Sequence, residues 1–182
     1  MANEMLFMDL TLKGKKVPGD SKIKGYEGLI ELKSMSWGLA FENKTAAKGD
    51  TKAVKNLKAE ELRLSKYFDG ATTALFNNMD ETDGLRASGA PDPSFKTNNT
   101  AVITLVGVTA LQSGETMPVL MKVTLAGARL KSVSSRASES GSFLSLTEDV
   151  KLAFKDLKID YFPAAKGNQR GGAMTFQHEG KE

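Results

Sequence analysis

Between Ile30 and Phe41 the apolar positions change parity: Ile30 and Leu32 occupy one phase, and Met35, Trp37, Leu39 and Phe41 occupy the other. Successive side chains of a β-strand face opposite sides of the sheet, so one strand with one buried face cannot hold both phases without an inserted residue. A bulge or corner near Lys33-Ser34 restores a single buried face. The same shift occurs near the C-terminus, where the phase of Val150, Leu152 and Phe154 gives way to that of Leu157, Ile159 and Tyr161, and it implies a second bulge at Lys155-Asp156. Strands that bend in this way suit a barrel. The expected fold is mainly β: a single antiparallel β-barrel of two packed sheets, with one short flanking α-helix and a long extended loop.

The remaining chain fits that frame. Leu6, Met8, Leu10 and Leu12 alternate with Phe7, Asp9 and Thr11 as a half-buried first strand. Gly14 to Gly25 reads as a solvated loop, and Gly28 to Phe41 as the bent second strand. Past the bend, Ser34 and Ser36 point away from Met35 and Trp37, which gives a small, polar outer face. Glu42 to Lys58 has no clear period and reads as a long exposed arm. Leu62 and Leu64 open a strand that ends at Asp69-Gly70. Asp69 or Thr72 then caps a short helix carrying Ala71, Ala74, Leu75 and Met79, with Phe76 beside them. This is the one helix the pattern supports. Asp80 to Asn99 reads as a loop, Ala101 to Ala110 as a central strand, and Met117 to Lys131 as a long strand with Val119, Met121, Val123 and Leu125 on one phase. Ser132 to Gly141 reads as a connection, Phe143 to Phe162 as the last strand region, and Pro163 onward as a flexible tail.

A chain of 182 residues is long enough to bury a substantial core in one domain. The expected division is a barrel over residues 1–162 and a tail over 163–182. No apolar run approaches the ~20 residues of a membrane span, and Met1-Ala2-Asn3-Glu4 lacks the basic start of a secretory signal. Export without a cleaved signal peptide is the corresponding expectation. Cysteine is absent, which excludes disulfides, thiolate metal sites and a cysteine nucleophile. The net charge is +3, with lysines dispersed among acids and no basic block, so nucleic acid is not an expected partner.

Catalytic chemistry finds no footing. The sole histidine, His178, falls in the expected tail, far from any triad-like setting. Glu60-Glu61 and Glu148-Asp149 sit on strands, so each pair splits between two faces and reads as exposed or interface charge. No phosphate-binding glycine loop and no GxGxxG pattern occurs. No enzyme activity, cofactor or metal is expected. Trp37 shares the phase of Met35 and Leu39 and reads as core, as do Met8, Met35, Met79 and Met121.

The stretch Ile30-Glu31-Leu32-Lys33-Ser34-Met35-Ser36-Trp37-Gly38 resembles the haemolysin-coregulated protein (Hcp) family, the tube-forming proteins of bacterial type VI secretion. The segment from Leu64 to Phe76 is similar to the family's strand-to-helix region, with Thr73 where proline is common. Leu146 to Phe154 and Ile159-Asp160-Tyr161 are similar to its final strands. The similarity runs in order from about Leu6 to Phe162, with departures in the Asp83 to Asn99 loop and the Ser135 to Ser140 turn. It implies a subunit of hexameric rings that stack into a hollow tube, driven outward by a sheath behind a tip protein, with effector proteins in the lumen. Ser34 and Ser36 are the implied lumen and effector contacts. Glu42, Lys44, Lys48, Asp50, Lys52 and Lys55 belong to the implied ring-stacking loop. Assembly in the cytoplasm followed by secretion to the outside or into a target cell is implied. The alternatives are the tube of a related phage-tail-like contractile particle and, from a different class, a monomeric small-ligand-binding β-barrel with an apolar cavity near Trp37.

Overall fold

A computed structural model describes residues 3–44, 54–79, 92–108, 117–140, 143–164 and 170–180. Its strands are β1 (Asn3–Leu12), β2 (Lys15–Val17), β3 (Ile30–Ser36), β4 (Leu39–Lys44), β5 (Val54–Ala59), β6 (Leu62–Tyr67), β7 (Thr100–Val108), β8 (Val119–Ala126), β9 (Arg129–Ser140), β10 (Phe143–Ala153), β11 (Asp156–Tyr161) and β12 (Met174–Glu179). The helices are α1 (Ala71–Asn77) and α2 (Phe95–Asn98). A 10-stranded antiparallel sheet runs in the order β12-β11-β8-β7-β1-β3-β6-β10-β9, with β2 paired to β1, and β4-β5 forms a separate two-stranded sheet.

The sheet curls around one core. Met8, Leu10 and Leu12 of β1 pack with Ile30, Leu62, Leu64, Ile103, Leu125, Leu130, Leu152 and Leu157. Leu130 and Leu157 come from strands near opposite ends of the strand order, so both ends share a single interior. Each fully buried leucine or isoleucine contributes about 1.5–3 kcal/mol through surface removed from water. The mainly-β, antiparallel architecture with a flanking helix is the one expected.

The first parity break is a bulge at the expected place. Opposite β6, Leu32 pairs with Lys66 but Ser34 pairs with Ser65, which leaves Lys33 as the extra residue. Met35 and Trp37 then pack against the core. Beyond Gly38 the chain leaves the main sheet, and Leu39 and Phe41 stand exposed on β4, not buried as their phase suggested. The second break is larger than a bulge. At Phe154-Lys155 the chain leaves β6 and β9, its partners through β10, and joins β8 and β12 as β11.

Several segments differ from expectation because tertiary pairing overrides local composition. The Gly14 to Gly25 loop contains β2, and the chain after it clips over the outer face of β1, held by Gly19 N–H to Gly28 O (2.9 Å) and Ser21 N–H to Leu29 O (3.1 Å). Under this clip Phe7 stacks on Tyr26 at 4.5 Å between ring centroids, beside Val106 and Met117. The central pair β1-β7 is therefore covered on both faces, which explains the near-continuous apolar run of β7. The expected Met117 to Lys131 strand ends at Ala126, where Gly127 takes φ of +65°. The Ser-rich stretch, including the supposed turn from Ser135 to Ser140, is strand β9, paired along β10. The Asp80 to Asn99 loop ends in α2. The C-terminal segment, expected as a flexible tail, supplies β12, whose residues pair with β11 from Asp156↔Glu179 to Tyr161↔Met174.

Candidate functional site

Buried chemistry is concentrated at one place. Lys66 continues the inward phase of Leu62 and Leu64, and its register partner Glu148 continues that of Val150 and Leu152. Both side chains are 0% exposed. The Lys66 ammonium meets Glu148 Oε2 at 2.6 Å, Asp69 Oδ1 at 2.7 Å and the Tyr67 carbonyl at 2.8 Å. The hydroxyls of Thr72 (2.8 Å) and Ser135 (2.9 Å) donate to the Glu148 carboxylate. Burial pushes the Glu148 carboxyl up, but the bonds from Lys66, Thr72 and Ser135 and the Lys66 charge outweigh it and hold it below the ordinary carboxylate value. With the three ammonium hydrogens engaged and no exposed surface, Lys66 is not positioned to act on a substrate. The network ties β6, β9, β10 and α1 together. The cap of α1 is Gly70, with no side-chain cap bond, and neither expected residue: Asp69, one residue earlier, accepts the Ala71 N–H at 2.9 Å, and Thr72 serves the ion pair. Of the helix residues expected inside, Ala71 and Leu75 are buried, but Met79 and Phe76 are exposed. The pair Glu148-Asp149 does split between faces, yet Glu148 is interior and not an exposed or interface charge. Its only sequence signal is a charged residue standing on an apolar phase.

Ser34 and Ser36 lie on the exposed face of β3, with Met35 between them turned inward. Their cross-strand partners extend the same face: Ser36 to Arg63 to Lys151 to Ser132, and Ser34 to Ser65 to Asp149 to Ser134. Tyr67, Thr147 and Arg136 form the next row, with the Lys33 ammonium 4.5 Å from the Tyr67 ring centroid. The result is a polar sheet surface with small side chains.

The described residues at both ends of the expected exposed arm form a two-stranded ribbon. Glu42 pairs with Asn56 and Lys44 with Val54, and Lys55 faces Asn43 across the ribbon. Lys48, Asp50 and Lys52 lie outside the described residues. The ribbon exposes Phe41 at its base, where Glu60 N–H bonds Gly38 O at 2.9 Å.

Two further exposed apolar groups flank the sheet. Leu144 and Leu146 of β10 stand out beside Phe68, whose N–H meets the Leu146 carbonyl at 3.2 Å. Met174 and Phe176 of β12 stand across from Tyr161 and Ile159 of β11. His178 sits on β12 opposite Leu157, in a cleft of about 150 Å³ shared with Asp156, Lys158 and Glu179. No group of three or more acidic, histidine or cysteine residues able to hold a metal occurs among the described residues. No helix among them is long and apolar enough to cross a membrane. Farther along the same strand pair, Asp160 accepts the Thr175 hydroxyl at 2.6 Å and pairs with Lys158 at 3.0 Å. These two partners hold the Asp160 carboxyl below its ordinary value against partial burial.

Comparison with known proteins agrees with this geometry. Residues 8–86 match the family described as "Type VI secretion system effector, Hcp". No curated protein matches the chain by sequence. Among solved structures, Hcp1 from Salmonella typhimurium is similar at 23% identity over 98% of this chain and 95% of its own, with a TM-score of 0.64. Hcp1 from the E. coli EAEC 042 pathovar, solved as a double mutant, is similar at 13% identity over 96% and 98%, with a TM-score of 0.63. Hcp3 from Pseudomonas aeruginosa, titled a secreted protein, is similar at 10% identity over 99% and 100%, with a TM-score of 0.53. The resemblance to the Hcp family is thereby supported, by sequence over residues 8–86 and by fold over nearly the whole chain.

Proposed function

We propose that this chain, an Hcp-family protein by sequence pattern and fold, is a structural subunit of the type VI secretion inner tube. It assembles as hexameric rings that stack, and the lumen carries effector proteins past Ser34 and Ser36. The β4-β5 ribbon reaches toward the neighbouring ring. Sheath and tip proteins are the further partners, and the assembled tube leaves the cell with its cargo. The role is mechanical and needs no catalytic step.

The observation that carries this reading is the pair of open edges. β9 is exposed on both faces from Ser134 to Glu139, and β12 is exposed along nearly its whole length, at opposite ends of one sheet. Uncovered edge strands are templates for pairing with another chain. Two different edges on one molecule favour a head-to-tail contact, and such contacts close into rings when the rotation per subunit allows. The apolar groups Leu144-Leu146 and Met174-Phe176 lie beside these edges and add surface to bury.

The test is solution mass by light scattering, with negative-stain images of the same peak. Six-fold rings are expected. A strict monomer over a wide concentration range would sink the proposal.

A further inference from the structure

Resting on that tube reading, we infer that the outward face of β3, β6, β10 and β9 selects acidic polypeptide cargo. Arg63 and Lys151 are direct cross-strand partners, a like-charged pair that is unfavourable in an isolated sheet. Neither of them, nor Arg136, belongs to an ion pair among the described residues, whereas Lys16, Lys66, Lys96 and Lys158 each do. No carboxylate of this face pairs with either side chain among the described residues, and the charge that would relieve the pair is left to a bound partner.

Both bulges in this half of the sheet add to the same charge. Lys33 is the extra residue of β3, and Lys131 is the extra residue of β9, between Leu130 and Ser132, where the pairing shifts against β10. Both are exposed. Lys33, Arg63, Lys131, Arg136 and Lys151 thus outnumber Glu31 and Asp149 on this face, although the whole chain is only +3. Between the cations lie Ser34, Ser65 and Ser134, whose short hydroxyls can donate to carboxylates and leave room for a chain to approach. Tyr67 is the one aromatic ring in these rows, too few for the stacking platform that single-stranded nucleic acid requires.

The probes are fluorescent oligo-glutamate, oligo-lysine and oligo-thymidylate of equal length, titrated against the full chain, with ring mass measured on the same samples. Wild-type rings are expected to prefer oligo-glutamate and to lose it as salt rises from about 50 to about 300 mM. Arg63→Glu with Lys151→Glu should weaken that binding about tenfold or more and transfer preference to oligo-lysine at unchanged ring mass. Arg136→Glu, at the far row, is the second variant and should shift preference the same way by a smaller factor. Rings that ignore peptide charge, or that bind oligo-thymidylate more tightly than oligo-glutamate, overturn the inference and leave the tube intact. A monomer that still prefers oligo-glutamate overturns the tube reading and keeps the charge preference.

Discussion

Lys66 Nζ lies 2.6 Å from Glu148 Oε2 between strands β6 and β10, with both side chains withdrawn from solvent and Asp69, Thr72 and Ser135 completing the contacts. Removing one member strands the other as a buried, uncompensated charge or an unmatched acceptor. Lys66→Met should therefore destabilise the fold by about 3–5 kcal/mol. Replacing both partners, Lys66→Met with Glu148→Leu, should recover much of that loss. Chemical denaturation of the two variants measures both effects, and equal stability of single and double mutants would contradict the account.

The same carboxylate sets an acid limit. Glu148 titrates lower in the folded chain than in the unfolded one, so the unfolded state takes up protons first as pH falls. Its stabilising contribution is complete above the ordinary carboxylate range and is lost as pH drops through and below that range. Asp160 acts in the same direction. Denaturation midpoints should fall steeply on acidification below about pH 5, and Glu148→Gln should flatten that slope while lowering stability at neutral pH.

Asp160 and Thr175 join β12 to β11 at 2.6 Å. Thr175→Val removes a donor to a charged acceptor and should cost about 1.5–3 kcal/mol locally. Hydrogen exchange should quicken at residues 174–179 while β7 and β1 stay protected. Uniform quickening across the sheet would show that β12 is not a separable unit.

Gly19 has no room for a side chain: a Cβ there would run into the Leu29 carbonyl and the Ile30 nitrogen. Because the obstacle is backbone, Gly19→Ala should destabilise by about 1–3 kcal/mol and loosen the Phe7-Tyr26 stack. Thermal unfolding with near-ultraviolet circular dichroism reads both effects.

Leu146→Asp and Met174→Asp alter exposed positions at the two edges, so the subunit should fold as before while ring mass falls. Sedimentation at matched concentration decides this. Full-mass rings in both variants would move the lateral contact elsewhere.

The sequence disclosed what periodicity can carry. The inward phase of β1, the bulge at Lys33 and the outward serines at Ser34 and Ser36 all follow from alternation alone. Pairing choices were not legible. Nothing local distinguishes the Ser-rich stretch of β9 from a loop, because its strand character comes from hydrogen bonds to β10. The same holds for β12, whose partner β11 lies across an intervening connection. Phe7 looked like an outward residue because the clip that buries it is assembled from Gly19, Tyr26 and Leu29, residues with no alternating pattern. Lys66 and Glu148 were visible as charges on apolar phases, but their partnership required knowing that β6 and β10 are neighbours.

The position of β1 has a consequence for synthesis. It precedes β7 in the chain by almost ninety residues, about the separation from Thr11 to Thr100, yet the two are neighbours in the middle of the sheet, paired from Asn3↔Val108 to Thr11↔Thr100. The chain must hold Phe7, Met8 and Leu10 without their final neighbours until Thr100 to Val108 have been synthesised. Closure of so long a loop is slow relative to hairpin formation. Fragments that stop before Thr100 should expose the apolar residues of β1 and aggregate, whereas a chain that includes β7 covers β1 on both faces.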